Sequence, residues 1–129
     1  MRLAFDLPAN RRSPAAARAA LVGLSRHVAP PVLENLCLVV TELVTNAIVH
    51  GPGQRIAVEV AVDDDDGVLR GVVRDPGTGV VAIREAVADD EGGYGLRLVD
   101  RLADRWGVHK GSTHVWFEMS FTRPEPESA

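Results

Sequence analysis

The chain has 129 residues, the length of one ordinary domain, with 46% hydrophobic and 25% charged residues and a net charge of −4. A protein that binds nucleic acid directly needs a basic surface, which this acidic balance argues against. The single cysteine, Cys37, excludes an internal disulfide and favours a reducing, cytoplasmic setting. The chain shows neither a leader pattern nor a run of about 18 apolar residues, so we expect neither secretion nor a membrane partner.

Prolines and a glycine divide the first half of the chain into predicted elements. Ser13-Pro14 supplies an N-cap followed by proline at the first helical position, Pro30-Pro31 interrupts the pattern, and Gly51 followed by another proline is a stop signal. The predicted elements are a strand over 3–7, an alanine-rich helix from Ser13 to about Val28, and a second helix from Pro31 to Gly51.

The second half returns to strands. Predicted there are strands over 55–62, 68–74, 106–108 and 115–121 and a helix over 96–102. Asp66-Gly67 predicts a hairpin turn, and the acidic run 63–66 is expected to be solvated because it lacks the spacing of a calcium loop. Consecutive hairpins favour an α+β two-layer sandwich whose mixed or antiparallel sheet is covered on one face by helices. We expect one domain over 1–122 and a disordered tail over 123–129.

The second predicted helix carries polar residues on one side. Glu42, Asn46 and His50 are spaced at i, i+4 and i+8, so they fall into one ribbon along the helix. Most of the remaining surface is apolar, so we expect this helix to be covered nearly all round. Because burying an unpaired carboxylate costs several kcal/mol, the ribbon predicts a ligand-facing wall. The alternative is a structural polar network that stabilises the helix and its neighbouring loops.

Two glycine-rich segments add to this pattern. Asp75 ends a predicted strand and is followed by Gly77 and Gly79, which permit close approach of another group, and its carboxylate can accept a hydrogen bond from an exocyclic amine such as that of adenine. Residues 92–95 open the third helix at Leu96 with free backbone N–H groups that suit phosphate oxygens. Taken singly, these segments are also explained as an ordinary turn and a helix cap.

Together and in this order, the three motifs resemble the ATP-binding core of the GHKL superfamily, which includes gyrases and histidine kinases. Within it, the sequence is most similar to the small bacterial anti-sigma-factor serine kinases. The resemblance implies a Bergerat-type sandwich with ATP between the long helix and the glycine loops. It also implies a role at each matching position: Glu42 as general base, Asn46 as Mg²⁺ ligand, Asp75 as acceptor for the adenine amine, Gly77 and Gly79 beneath base and sugar, Gly93, Tyr94, Gly95 and Leu96 at the phosphate-facing lid end, and Thr113 near the adenine.

The resemblance implies a serine/threonine kinase that uses ATP and Mg²⁺, phosphorylates an anti-sigma-factor antagonist, and sequesters a sigma factor as a homodimer. Tyr94 stands where such proteins often have an arginine, and segment 80–91 is acidic. Both departures favour an alternative, an ATP-binding interaction module with little or no kinase activity. Arg97 or Arg101 would replace the missing cation if it turned inward, and His50 is expected to orient or support its neighbours. A topoisomerase- or chaperone-like ATPase would need additional domains.

Overall fold

The computed structural model describes residues 1–50, 55–75, 94–108 and 114–121, with the backbone alone for His50, Tyr94 and Gly95. The described elements are strand β1 (Arg2–Pro8), helix α1 (Ser13–Leu21), helix α2 (Pro30–His50), strands β2 (Arg55–Asp63) and β3 (Val68–Arg74), helix α3 (Tyr94–Leu102), and strands β4 (Arg105–Val108) and β5 (Val115–Ser120). The predicted tail, 123–129, lies outside the described residues.

The five described strands form one sheet in the order β1-β2-β3-β5-β4. Every neighbouring pair is antiparallel, so the mixed sheet that we allowed for is, in this part of the chain, purely antiparallel. Strand β3 is central, with Val58 of β2 opposite Val73 and Val115 of β5 opposite the same residue. The hairpin of β2 and β3 therefore lies inside the sheet, with β1 paired to β2 and β5 paired to β3, in keeping with the predicted hairpins.

Alternation along the strands buries one face of the sheet. On β2, four residues are at most 5% exposed, namely Ile56, Val58, Val60 and Val62. Helices α1, α2 and α3 cover that face, and α2 lies between the other two, in contact with both and with β3. The opposite face carries ion pairs such as Arg2–Glu59 at 2.8 Å and Arg70–Glu118 at 3.3 Å. The architecture is thus the predicted α+β sandwich of two layers, with helices on one face.

The structure corrects two helix boundaries. Helix α1 ends at Leu21 rather than near Val28, because the chain tightens into a 3₁₀ turn over Val22–Leu24. The residue at the N-cap position is Arg12, and Ser13 lies inside the helix, where its buried hydroxyl donates to the carbonyl of Pro8. Ser13 therefore ties the helix to the end of β1 instead of capping it.

The second correction concerns α2, which begins at Pro30. The first N–H groups of a helix have no intrahelical partner, so two successive prolines lose nothing in the first turn. Helix α2 is also long and apolar enough to span a membrane, with a mean hydropathy of 1.6 over 30–49. That is weak evidence for a membrane, because the same composition suits the central helix of a core, where α2 lies.

The acidic run forms the predicted hairpin turn. Gly67 adopts a φ of +67°, a conformation that glycine takes without strain. The carboxylate of Asp63 accepts hydrogen bonds from the backbone N–H groups of Asp65 and Asp66, both at 3.1 Å. The turn is therefore held by its own first aspartate, while the aspartates at 64, 65 and 66 are exposed.

Candidate functional site

Helix α2 has one buried side and one open side. On the buried side, Val40 and Val44 are fully enclosed and Ala47 is 3% exposed. On the open side, Glu42 and Asn46 are half-buried. The structure thus confirms that Glu42 and Asn46 lie on a side of α2 that is distinct from the apolar side, as the helical period predicts.

The cover around α2 is less complete than predicted. Thr45 is exposed and Val49 is 67% exposed, although both lie on a helix that is largely apolar. Both residues lie within about 60° of Glu42 around the helix axis. The open side therefore flanks the predicted ribbon on one side, whereas Val39, about 60° from Glu42 on the other side, is fully buried. Glu42 and Asn46 lie at the border between the two.

Asp75 is the one charged side chain that is buried among the described residues. Among the described residues, the polar or charged side chains classed as buried are Ser13 and Asp75. Ser13 donates to the carbonyl of Pro8, and Asp75 follows β3 and is 8% exposed. A buried carboxylate needs hydrogen bonds to offset its lost hydration, which makes this position suited to a specific donor.

The topology brings these residues to one end of the sheet. Helix α2 ends at His50, and four residues separate it from the start of β2 at Arg55. The start of β2 lies beside the end of β3 because Ala57 pairs with Arg74. Asp75 therefore lies at the same end of the sheet as the last turns of α2. Glu42 and Asn46 occupy those last turns, and α2 packs on β3.

Helix α3 and strand β5 contribute to the same end. Strand β5 begins there, since Val115 pairs with Val73 near the end of β3. Strand β4 begins at the opposite end, where Arg105 pairs with Glu118, and α3 leads directly into it. The first turn of α3 is therefore the end of that helix directed back toward Asp75. Among the described residues, one end of the sheet thus collects Asp75, the last turns of α2 and the first turn of α3.

The structure describes the remaining predicted site residues to different extents. Leu96 is 6% exposed and packs in the core, so it anchors the first turn of α3. Tyr94 and Gly95 start α3, and only their backbone is described. Four predicted residues lie outside the described residues: Gly77, Gly79, Gly93 and Thr113. Arg97 and Arg101, either of which would replace the missing cation if it turned inward, are both exposed.

Two threonines belong to the open side and escaped our sequence reasoning. The hydroxyl of Thr45 donates to the carbonyl of Thr41 at 2.8 Å, and that of Thr41 donates to the carbonyl of Cys37 at 2.7 Å. Such bonds to the preceding turn bend helices slightly. The i, i+4 spacing of the threonines was the available signal, and the backbone of α2 accepts the hydrogen bonds of both hydroxyls beside Glu42 and Asn46.

The described residues fit a magnesium ion only as part of a nucleotide complex. In the described ranges, no group of three His, Cys, Asp or Glu side chains could hold a metal ion. Mg²⁺ is commonly bound through one or two protein oxygens together with phosphates and water. The half-buried amide of Asn46 is a neutral oxygen ligand of that kind, and so it fits a metal that arrives with phosphates.

Cys37 takes no part in this arrangement. Its side chain lies on the buried side of α2, and burial raises the pKa of the thiol, an effect that nearby Arg18 opposes and Glu34 reinforces. A buried, protonated thiol is a poor nucleophile. The chemistry of the open side therefore belongs to the carboxylate and the amide.

Comparison with known proteins agrees with this geometry. A family model described as a histidine kinase-like ATPase domain matches residues 7–120. That range begins near the end of β1, finishes at the last residue of β5, and includes Glu42, Asn46 and Asp75. No curated protein matches the chain. The match covers most of the chain and implies that the domain binds ATP.

Proposed function

Because the chain belongs to the histidine kinase-like ATPase domain family and is therefore an ATP-binding protein, we propose that it is a protein serine/threonine kinase. The observation that supports this most is the pairing of Glu42 with Asn46 on the open side of α2. A carboxylate one helical turn from a metal-binding amide is positioned beside the phosphates of a bound nucleotide. The half-burial of both groups keeps them accessible to a protein substrate.

In the proposed reaction, each residue has one task. Asp75 accepts a hydrogen bond from the adenine amine, and Asn46 holds Mg²⁺ through its amide oxygen. When bound, the metal ion would neutralise negative charge on the phosphates. Glu42 takes the proton from a serine hydroxyl as the serine oxygen bonds to the γ-phosphorus. The bond from that phosphorus to the bridging oxygen breaks, and ADP leaves with the electron pair.

The experiment that tests this proposal compares two glutamates of the same helix. Wild type, Glu42→Gln and Glu34→Gln are incubated with γ-labelled ATP and with serine-bearing candidate antagonists from the native cell. Glu34 is an exposed residue of α2, so its variant is a matched control. We expect transfer by wild type and by Glu34→Gln, and a loss of about 10²–10⁴-fold in Glu42→Gln. Equal transfer by all three proteins would contradict the assignment of the base.

A second candidate function is an ATP-binding interaction module without transferase activity. It is favoured by Tyr94, which stands where the anti-sigma-factor kinases often have an arginine, and by the acidic segment 80–91. The same assay separates the two candidates. ATP binding without transfer to any serine-bearing partner supports the module.

The proposed partners are a sigma factor, which the protein sequesters, and an antagonist, which it phosphorylates, both in the cytoplasm and with the protein as a homodimer. Their support is the resemblance of the motifs around Glu42, Asp75 and Gly93 to anti-sigma-factor kinases. A pull-down from native cells with and without ATP tests them. A sigma factor retained in one nucleotide state supports this role, and the absence of any sigma factor in both states contradicts it.

A further inference from the structure

Helix α3 is fastened to the sheet at the end that lies away from the nucleotide site. Just after the helix, the backbone N–H of Asp104 donates to the carbonyl of Glu118 at 2.8 Å. The carboxylate of Asp104 accepts a hydrogen bond from the backbone N–H of Ser120 at 2.5 Å. Both partners belong to β5, and β4 begins at the residue that follows Asp104. The end of α3 is therefore held against the sheet before β4 starts.

A further contact joins the body of α3 to β4. The indole N–H of Trp106 donates to the carboxylate of Asp100 at 2.8 Å. Trp106 pairs with Phe117, so the two rings project from the same face of the sheet, the face that the helices cover. The indole is half-buried and packs against the core, whereas Asp100 is exposed. The bond thus connects a ring that is seated in the sheet with a carboxylate of the helix.

This bond does something that apolar packing does not do for α3. The buried side of the helix is formed by Leu96 and Val99 together with Ala103, all at most 8% exposed and spaced at i, i+3 and i+7. Apolar burial attaches the helix to the core, but it is non-directional. A hydrogen bond has a preferred distance and angle. The bond from Trp106 to Asp100 consequently fixes the orientation of a helix that is already attached.

We propose that Trp106 and Asp100 are positioning residues, which act through α3 to hold its first turn in place for the phosphates of ATP. The inference rests on the nucleotide site described above, where that turn lies at the same end of the sheet as Asp75 and the last turns of α2. The N–H groups of a first helical turn have no partner within the helix, and they suit phosphate oxygens. Trp106 and Asp100 lie outside that turn, so we assign them no contact with the nucleotide.

The length of α3 converts a small change of orientation into a large displacement at its first turn. Leu96 and Ala103 are seven residues apart, which is about 10 Å along a helix axis. With the end near Ala103 as the pivot, a tilt of about 10° moves the first turn by about 2 Å. An N–H group makes a good hydrogen bond only over a range of about 0.5 Å in donor–acceptor distance. A tilted α3 would therefore lose its bonds to phosphate oxygens.

The adenine end of the site should not depend on this bond. Asp75 follows β3, and β5 separates β3 from the edge strand β4 that carries Trp106. Breaking the bond from Trp106 to Asp100 should consequently weaken the binding of a nucleotide with three phosphates more than that of AMP, which has one. A general loss of stability would affect both nucleotides alike.

The test measures the affinity of the full chain for ATP with Mg²⁺ by calorimetry, and for AMP by competition. Trp106→Phe keeps an aromatic ring and removes the donor, and Asp100→Ala removes the acceptor. We expect each variant to weaken ATP binding by about fivefold or more, and AMP binding by less than about twofold. The double variant should bind ATP no more weakly than either single variant, because both changes remove the same bond.

Two control variants separate the hydrogen bond from other effects. Asp100→Asn keeps an oxygen that can accept from the indole, so it should retain the ATP affinity of wild type although the charge is lost. Trp116→Phe removes the indole N–H of the second tryptophan, which lies beside Gly107 on the opposite face of the sheet. It should also bind ATP as wild type does.

The contrary results are equally specific. The inference is overturned if Trp106→Phe leaves ATP affinity unchanged, or if the affinities for ATP and AMP fall equally. It is also overturned if Asp100→Asn loses as much affinity as Asp100→Ala, or if the losses of the single variants add up in the double variant. A failure of the kinase proposal appears separately, as ATP binding by wild type without transfer of phosphate to a serine.

Discussion

The two sides of helix α2 show how one element serves stability and chemistry separately. Its buried side, with Leu36 and Val44 fully enclosed, fills the space between the sheet and the neighbouring helices. Its open side keeps Glu42 and Asn46 half-buried. The comparison teaches that the polar residues lie where packing does not require them, and so substitutions on the two sides should have different consequences.

The largest effect on stability is expected from Leu36→Ala. The side chain is fully buried, so its truncation should reduce the free energy of unfolding by about 2–5 kcal/mol. Urea denaturation followed by circular dichroism measures the change. Val49→Ala, on the exposed part of the same helix, should change stability by no more than about 0.5 kcal/mol. Equal losses in both variants would remove the distinction between the two sides.

The next largest effect is expected from Asn46→Ala on nucleotide binding. Loss of the amide oxygen should weaken ATP affinity by about 10–100-fold when Mg²⁺ is present, as expected for a bond to a charged group. The thermal midpoint should remain close to that of wild type, because Asn46 is half-buried and lies outside the core. Calorimetric titration with and without Mg²⁺ checks this. An unchanged Mg²⁺-dependent affinity would exclude Asn46 as the metal-binding residue.

Asp75→Asn should have a smaller and more selective effect. The change keeps the size of the side chain but replaces one acceptor oxygen with a donor, so ATP affinity should fall by about tenfold. GTP affinity should change less, since guanine has no amine at the same position of the ring. Competition between the two nucleotides measures the ratio. Equal losses for both nucleotides would show that Asp75 supports the fold rather than reading the base.

The outer face of the sheet should show the smallest effect. Arg2 lowers the pKa of Glu59 through a hydrogen bond and its charge, so the pair stabilises the fold above the ordinary pKa of glutamate. Its contribution is lost as the pH falls through the lowered value. The difference in thermal midpoint between wild type and Glu59→Gln should therefore be slight at pH 7 and shrink as the pH falls through the lowered pKa of Glu59. A difference that grew in acid would contradict this sign.

The sequence predicted much of the architecture because periodicity and turn residues act locally. The β2–β3 hairpin followed from alternation and Asp66-Gly67, and the polar side of α2 followed from the spacing of Glu42 and Asn46. The end of α1 was mispredicted because the alanine-rich pattern was extended through the 3₁₀ turn at Val22–Leu24, although Gly23 directly follows the C-cap residue Val22 and is a typical stop signal. Exposure of Val49 depends on which neighbours pack there, and composition alone does not specify that.

The most direct test of the central claim is a crystal structure with Mg²⁺ and a non-hydrolysable ATP analogue. We predict the adenine amine bonded to Asp75, the Asn46 amide oxygen about 2.1 Å from the metal ion, and the Glu42 carboxylate facing the γ-phosphate. A nucleotide bound away from α2, or a complex in which Glu42 and Asn46 both face bulk water, would contradict the account.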